Sequence, residues 1–119
     1  MDTLKVGNIG ENAVCEYLLK KGYTITDRNY HSRYGEIDII ADIDEYIVFV
    51  EVKTRANRRF ANPCEFVDKR KQTKIMKTAI CYMQKNELDK AVRFDVAEVI
   101  YSRNEVREIN YIENAFWQE

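Results

Sequence analysis

The chain has 119 residues, of which 45% are hydrophobic and 33% charged, with a formal net charge of -1. A chain of this length builds one core that buries roughly two thirds of its unfolded surface, so we expect a single domain over residues 1–119. No apolar run approaches the ~20 residues of a membrane span, and no signal peptide is visible, which predicts a cytoplasmic protein without membrane association.

Apolar residues at helical spacing predict a first helix from about Asn8 to Lys21, which Gly22 ends. Three runs rich in β-branched and aromatic residues follow and are predicted as strands: 23–30, 34–41 and 46–53. The short connection near 42–45 makes the second and third strands an antiparallel hairpin.

The next segment, 54–63, is polar and basic and contains the single proline, so we expect a loop. Helical spacing resumes and predicts a second helix from Asp68 to about Asn86. Two alternating runs then predict a second hairpin: 93–101 and 105–112. The order αβββαββ predicts an α/β (α+β) fold, in which a mixed sheet of about five strands has a helix on each face.

The predicted hairpin over 35–55 carries charged residues where a sheet would otherwise be apolar. Glu51 and Lys53 are two apart on a strand and therefore share a face. Pairing of Asp42 with Ile47 around a four-residue loop would place four charged side chains together in opposed pairs: Asp38 with Glu51 and Glu36 with Lys53. A slip of one residue would separate them.

Two carboxylates held this close repel each other, and a divalent cation stabilises them together. Asp38 and Glu51 are therefore predicted ligands of Mg²⁺ or Mn²⁺, which would polarise a scissile phosphate and activate water. Lys53 would position that water or neutralise developing charge, with Glu36 in a supporting place beside it. The ordinary alternative is a Glu36–Lys53 ion pair next to two solvated carboxylates.

The chain contains, in this order, the segments GNIGENAVCEYLLKKGY, RNYHSRYGEIDII, VFVEVKTR and RFDV. Together they resemble the motifs of the YraN family of bacterial proteins, which are predicted nucleases of the restriction-endonuclease-like superfamily. The resemblance implies a PD-(D/E)xK nuclease core similar to archaeal Holliday-junction resolvases, with Asp38, Glu51 and Lys53 at the catalytic positions. It also implies a symmetric homodimer, because a junction offers two strands to cut.

Glu11 matches the acidic residue that such resolvases carry on their first helix, and the resemblance implies a metal- or water-positioning role for it. A local alternative is equally open. Asn8 and Glu11 have capping-box-like spacing, and a glutamate in the first turn is favoured by the helix dipole.

Basic residues are unevenly distributed along the chain. Between Lys53 and Lys90 there are eleven Lys and Arg but four Asp and Glu, which predicts a basic surface region. Six of these residues are expected to track a phosphate backbone into the site: Arg55, Arg58, Arg59, Arg70, Lys74 and Lys77. A lysine-lined helix by itself is usually only a solvated face.

Other residue types argue against competing chemistries. The cysteines Cys15, Cys64 and Cys81 are odd in number and lack CxxC spacing, so we expect reduced thiols. His31 is the single histidine and is expected in a surface loop, and Asp95 is expected to have a structural hydrogen-bonding role.

The sequence thus predicts a metal-dependent DNA endonuclease that hydrolyses phosphodiester bonds, and the resolvase similarity implies branched or damaged DNA as its substrate. One alternative is a non-catalytic nucleic-acid-binding or adaptor module on a nuclease-like fold, and another is a protein-interaction subunit whose Trp117 tail docks on a partner.

Overall fold

A computed structural model of the chain describes residues 3–56 and 67–117. These residues form two helices and five strands in the predicted order αβββαββ. In chain order the elements are α1 Thr3–Lys20, β1 Thr24–Ser32, β2 Gly35–Ile43, β3 Tyr46–Arg55, α2 Lys69–Lys85, β4 Ala91–Ser102 and β5 Glu105–Phe116. In the described part of the chain, neither helix has the length and apolar composition needed to cross a membrane.

The described strands form one mixed sheet in the order β1-β2-β3-β4-β5. The central pair, β3 and β4, runs parallel, and α2 lies in the crossover that a parallel pair requires. The core divides into two clusters, one containing Leu18 of α1 and the other containing Ile75 of α2. The sheet therefore has one helix on each face, and the predicted mixed fold is confirmed.

Local signals explain where the helices end and begin. Gly22 has φ +95°, a conformation that glycine adopts without strain, and the Tyr23 N–H donates to the Leu18 carbonyl at 3.0 Å in a Schellman-type cap. At the start of α2, the Asp68 carboxylate accepts the Lys71 N–H at 2.9 Å. This is an N-cap, and it places the helix boundary where the sequence predicts it.

The start of α1 differs from the prediction and removes one interpretation. The helix begins at Thr3, so Asn8 and Glu11 lie inside it. A capping box requires its first residue just outside the helix. The capping explanation of Glu11 is therefore wrong.

Loop and strand lengths also differ in three places. Ile43 pairs with Tyr46, so the β2–β3 loop has two residues where four were expected, and Asp44 supplies the left-handed conformation (φ +51°) that tight turns use. β1 continues to Ser32, which places His31 on an exposed strand instead of in a loop. β5 continues to Phe116, because that ring is buried in a stack against the core.

Two of the three cysteines lie in the described residues. Cys15 is buried, Cys81 is half-buried, and both are free thiols, as the sequence predicts. Cys64 lies outside the described residues.

Gly10 is buried where α1 crosses β3, and a side chain there has no room. A Cβ would collide with the Thr54 hydroxyl and come within 3.3 Å of the Thr54 Cβ. We expect Gly10→Ala to lower the free energy of unfolding by about 1–3 kcal/mol in urea denaturation, because it forces α1 away from the sheet. Gly7→Ala is the matched control, since nothing lies within 4 Å of its Cβ. Equal stability of the two variants would contradict this account.

Candidate metal centre

The hairpin of β2 and β3 has the register that the sequence predicts, with Asp42 opposite Ile47. Pairing continues as far as Ile39 and Val50 and ends there in the described strands. The two strands therefore part at the predicted site. Backbone groups beyond this point need other partners, and side chains can supply them.

Asp38 lies where the alternation of β2 is interrupted. Ile37 belongs to the core cluster on the α2 side, whereas Ile39 belongs to the cluster on the α1 side. Residues two apart on a regular strand share a face, so the backbone turns at Asp38. Its Oδ2 accepts the N–H of Val52 at 2.7 Å. The carboxylate thus bonds to β3 just after the strand pairing has ended.

Glu51 points to the face of the sheet that α2 covers, as does Phe49 two residues earlier. It is 9% exposed, and its Oε1 lies 2.6 Å from the Nζ of Lys71. Sequence reasoning missed Lys71, because the contact joins β3 to a helix on the far side of a long connection. The available signal was that Lys71 precedes Ile75 by four residues and so borders the buried stripe of α2.

The electrostatics of the pair are those of an incompletely neutralised negative site. Burial, followed by the charge of Glu51, raises the pKa of Asp38 to about 7, although the Val52 N–H opposes the shift. Burial likewise raises the pKa of Glu51 against the opposing hydrogen bond from Lys71. Burial would lower the pKa of Lys71, but its hydrogen bond to Glu51 and the charges of Glu51, Asp38 and Asp68 together outweigh this, and the pKa is raised. A further cation would therefore stabilise both carboxylates.

The donor set indicates which metal the site suits. Among the described residues no three His, Cys, Asp or Glu side chains form a ready metal cage. Asp38 and Glu51 alone suit Mg²⁺, which commonly binds through one or two carboxylates and completes its shell with waters and substrate phosphate. They do not suit a structural zinc, which takes four protein ligands.

The other predicted catalytic residues lie around this pair. Lys53 is exposed and forms no ion pair with the described residues. Glu36 is exposed, has His31 Nδ1 3.3 Å from its Oε2, and its charge raises the pKa of Glu51. The expected pairing of Glu36 with Lys53 is not among the described strand pairs, which end before them.

Glu11 lies on the margin of the site. Its Oε1 is 3.4 Å from the Nη2 of Arg28 on β1, and its side chain is 13% exposed. The charge of Glu11 also contributes to the raised pKa of Asp38. Glu11 therefore acts on the carboxylate pair electrostatically while Arg28 neutralises part of its charge.

The predicted phosphate-contacting residues separate into three groups. Arg70 and Lys74 line a groove of about 530 Å³ together with Glu36 and Lys71, next to the carboxylates. Lys77 is exposed on the same helix, with its Nζ 5.5 Å from the ring centroid of Tyr34. A basic groove thus leads to the site along α2.

Arg55, by contrast, points into the protein. Its side chain is 12% exposed, and its Nε lies 3.6 Å from Oε2 of the buried Glu98. The structure therefore sets Arg55 apart from the exposed basic residues. Arg58 and Arg59 lie outside the described residues.

The sequence matches the Uncharacterised protein family UPF0102 over residues 10–99. The chain belongs to this family. The motif resemblance to YraN proteins is confirmed at this level. A UPF0102 protein of Clostridioides difficile is 44% identical over 98% of this chain and all of its own length. Relatives from Clostridium acetobutylicum (46%, covering 94% of this chain and 93% of the relative) and Dictyoglomus thermophilum (40%, 98% and 100%) are similar over almost their full lengths.

The raised pKa of Asp38 makes a prediction about stability and pH. Between the ordinary aspartate pKa of 3.8 and about 7, folded UPF0102 protein retains a proton that the unfolded chain has released, so metal-free stability falls as pH rises through this window. Asp38→Asn removes the cost of ionising the Asp38 carboxyl in the folded state. It should raise the free energy of unfolding by about 1–3 kcal/mol near pH 8 but not below about pH 4. Urea denaturation at both pH values measures this.

The control for this experiment is Asp44→Asn, because Asp44 lies exposed in the β2–β3 turn. We expect no pH-dependent stabilisation from that change. An Asp38→Asn effect of equal size at both pH values would show that burial of the charge is not its cause.

Proposed function

We propose that this UPF0102 protein is a metal-dependent DNA endonuclease that hydrolyses phosphodiester bonds, with Asp38 and Glu51 as ligands of Mg²⁺ or Mn²⁺. The main support is the carboxylate pair itself, in which Glu51 is buried and Asp38 is half-buried. Structural carboxylates that form ion pairs with Lys or Arg usually have lowered pKa values. The pKa values of Asp38 and Glu51 are raised, which is typical of functional sites. The mixed sheet and the motif resemblance to the PD-(D/E)xK superfamily add further support.

The residues around the carboxylate pair would have separate catalytic and DNA-binding roles. A bound Mg²⁺ supplies a Lewis acid that polarises the phosphate and activates water. Lys53 is exposed and donates hydrogen bonds to the water or to the phosphate oxygens. Lys71, which lines the groove and lies 2.6 Å from Glu51, would supply an additional positive charge beside the phosphate. Arg70 and Lys74 hold the phosphate backbone in that groove.

The resolvase similarity extends the proposal to branched or damaged DNA and to a symmetric homodimer, since a four-way junction presents two equivalent strands. Light scattering on the purified protein measures the oligomeric state, and we expect the mass of a dimer.

A cleavage screen tests the proposed activity. Purified protein is incubated with duplex, single-stranded, flap and four-way-junction DNA in Mg²⁺, in Mn²⁺ and in EDTA. We expect nicking of at least one branched substrate in either metal and none in EDTA. Absence of cleavage on every substrate with both metals would overturn the proposal.

One observation favours a second candidate, a non-catalytic nucleic-acid-binding module. The Lys71 ammonium lies 2.6 Å from the Glu51 carboxylate and offsets part of its charge, and the groove that Arg70, Lys71 and Lys74 line would bind DNA without chemistry. This candidate predicts a salt-dependent gel shift that Lys74→Ala weakens and Asp38→Asn leaves unchanged, with no cleavage.

A further inference from the structure

Trp117 has no part in the chemistry proposed above and lies on the other flank of α2. It is the single tryptophan of the chain and is 59% exposed directly after β5. Together with Ile80 and Val92, which are 47% and 39% exposed, it lines a groove of about 370 Å³. That volume falls in the range of small-molecule sites. An exposed indole over an apolar groove is a binding surface for a flat apolar group.

The surroundings of this groove carry charged and hydrogen-bonding groups, with Lys69 and Lys77 outnumbering Asp68, which lines a second cavity beside Trp117. An adjoining cavity, also lined by Trp117 and Ile80, is bordered by Lys69 and Lys77 of α2. Gln84 and Asn114 line the main groove and carry amides that both donate and accept hydrogen bonds. The surface therefore combines an aromatic ring, an apolar floor, polar edge groups and positive charges.

The position of the groove connects it to the candidate metal centre. Lys71 and Lys74 of α2 line the groove beside the carboxylates, whereas Lys69 and Lys77 border the Trp117 side of the same helix. The two grooves are thus separated by one helix, whose diameter is about 10–12 Å. In a duplex each nucleotide of one strand advances about 3.4 Å, and an unstacked strand extends further, so a few nucleotides of one strand can reach from one groove to the other.

We propose that Trp117 stacks on an unpaired nucleobase of a DNA strand whose phosphates lie along α2. This inference rests on the proposed nuclease function and narrows its substrate to DNA with an unpaired or displaced segment. Every base has a π-face, so stacking on an aromatic ring is tolerant of sequence, while the lysines neutralise the phosphates. Fully paired DNA keeps its bases inside the helix and cannot fill the groove.

Charge favours this occupant over a second copy of the chain. In a symmetric dimer the same patch would face itself, so the positive charges of Lys69 and Lys77 would lie in the same interface as those of the second copy. Like charges in that arrangement repel, whereas a nucleic-acid strand complements them. The groove is accordingly assigned to DNA.

Because Trp117 is the single tryptophan, its fluorescence reports on this site alone when it is excited at a wavelength that the eight tyrosines do not absorb. The full chain is titrated in EDTA with a single-stranded oligonucleotide and with an oligonucleotide of equal length made of abasic residues. We expect the first to quench the fluorescence on binding. The abasic strand has the same charge and should bind without comparable quenching. Equal quenching by both strands would overturn the proposal.

Binding of labelled DNA by the variants, measured by fluorescence anisotropy, supplies the second readout. Trp117→Ala should weaken binding of single-stranded DNA by roughly 5–100-fold and leave blunt duplex binding nearly unchanged, whereas Trp117→Phe retains most of the affinity. Leu19→Ala removes an exposed apolar residue of α1 and is the matched control. Unchanged affinity of Trp117→Ala would overturn the proposal, as would a fluorescence shift that depends on protein concentration in the absence of DNA.

Different results would contradict the nuclease proposal and the Trp117 stacking proposal. Cleavage with unaltered strand preference in Trp117→Ala keeps the nuclease and overturns the stacking site. Base-dependent quenching with no cleavage of any substrate supports the stacking site and overturns the nuclease.

Discussion

Replacement of Asp38 by asparagine is expected to reduce metal-dependent DNA cleavage by about 10³-fold or more. Asparagine has nearly the same shape, and its oxygen can still accept the Val52 N–H that Asp38 accepts at 2.7 Å. What it loses is the negative charge that binds a divalent cation. Single-turnover nicking of the best substrate from the cleavage screen measures the effect.

Two matched variants sharpen the result. Asp44→Asn makes the same chemical change in the exposed β2–β3 turn and should leave cleavage unchanged. Lys53→Ala should also abolish cleavage. We expect Mg²⁺ to increase the melting temperature of the parent protein, and this increase should persist in Lys53→Ala, because Lys53 is not a proposed metal ligand. Asp38→Asn should lose both the cleavage activity and the increase in melting temperature with Mg²⁺. Cleavage by Asp38→Asn at the parent rate would remove this residue from the site.

Asp95→Ala is expected to lower the free energy of unfolding by about 3–5 kcal/mol, the largest effect on stability that we expect outside the site. Asp95 is fully buried on β4. Its carboxylate accepts hydrogen bonds from Arg93 at 2.8 and 3.0 Å, from the Tyr111 hydroxyl at 2.6 Å and from the Asn114 N–H at 2.9 Å. Removal of the carboxylate leaves the largely buried guanidinium of Arg93 and the hydroxyl of Tyr111 without this hydrogen-bond acceptor.

Urea denaturation measures this loss, with Asp89→Ala in the exposed segment before β4 as the control. Tyr111→Phe deletes one of the hydrogen bonds and should cost only about 1–2 kcal/mol. A loss below about 1 kcal/mol for Asp95→Ala would show that the network is not a major source of stability. The position supports the structural role expected from the sequence, since Asp95 pairs with Val50 directly before Glu51.

The secondary structure and the hairpin register were predictable because their signals are local. Apolar residues at helical spacing indicated α2, and Asp68 and Asn86 marked its two ends, where the structure places the caps. The pairing of Asp42 with Ile47 was the register expected from the short connection between the two strands, and the structure has this pairing with a two-residue loop inside it. The predicted bounds of the elements were wrong where an additional helical turn or a few additional strand residues change the free energy of folding little, such as the start of α1 and the end of β5.

The candidate site was only partly predictable, because its contacts join distant segments. The sequence brought Asp38 and Glu51 to one place, but it left Glu11 open between a metal- or water-positioning role and a helix cap, and the longer helix rules out the cap. Arg55 reads as one more basic residue beside Lys53, yet its Nε lies 3.6 Å from the buried Glu98. No spacing along the chain encodes that contact, since it depends on the register of the parallel pair.

The sequence by itself determined the order of the elements, the hairpin register and the two carboxylates, because periodicity, turn residues and face alternation act over a few residues. Only the tertiary structure decided that the strands part at Asp38, that α2 places Lys71 on Glu51, and that Trp117 lies on the opposite flank of the same helix. The reason is geometric: the bond of Asp38 to Val52 depends on where β2 leaves β3, and the other two contacts depend on how α2 crosses between two parallel strands.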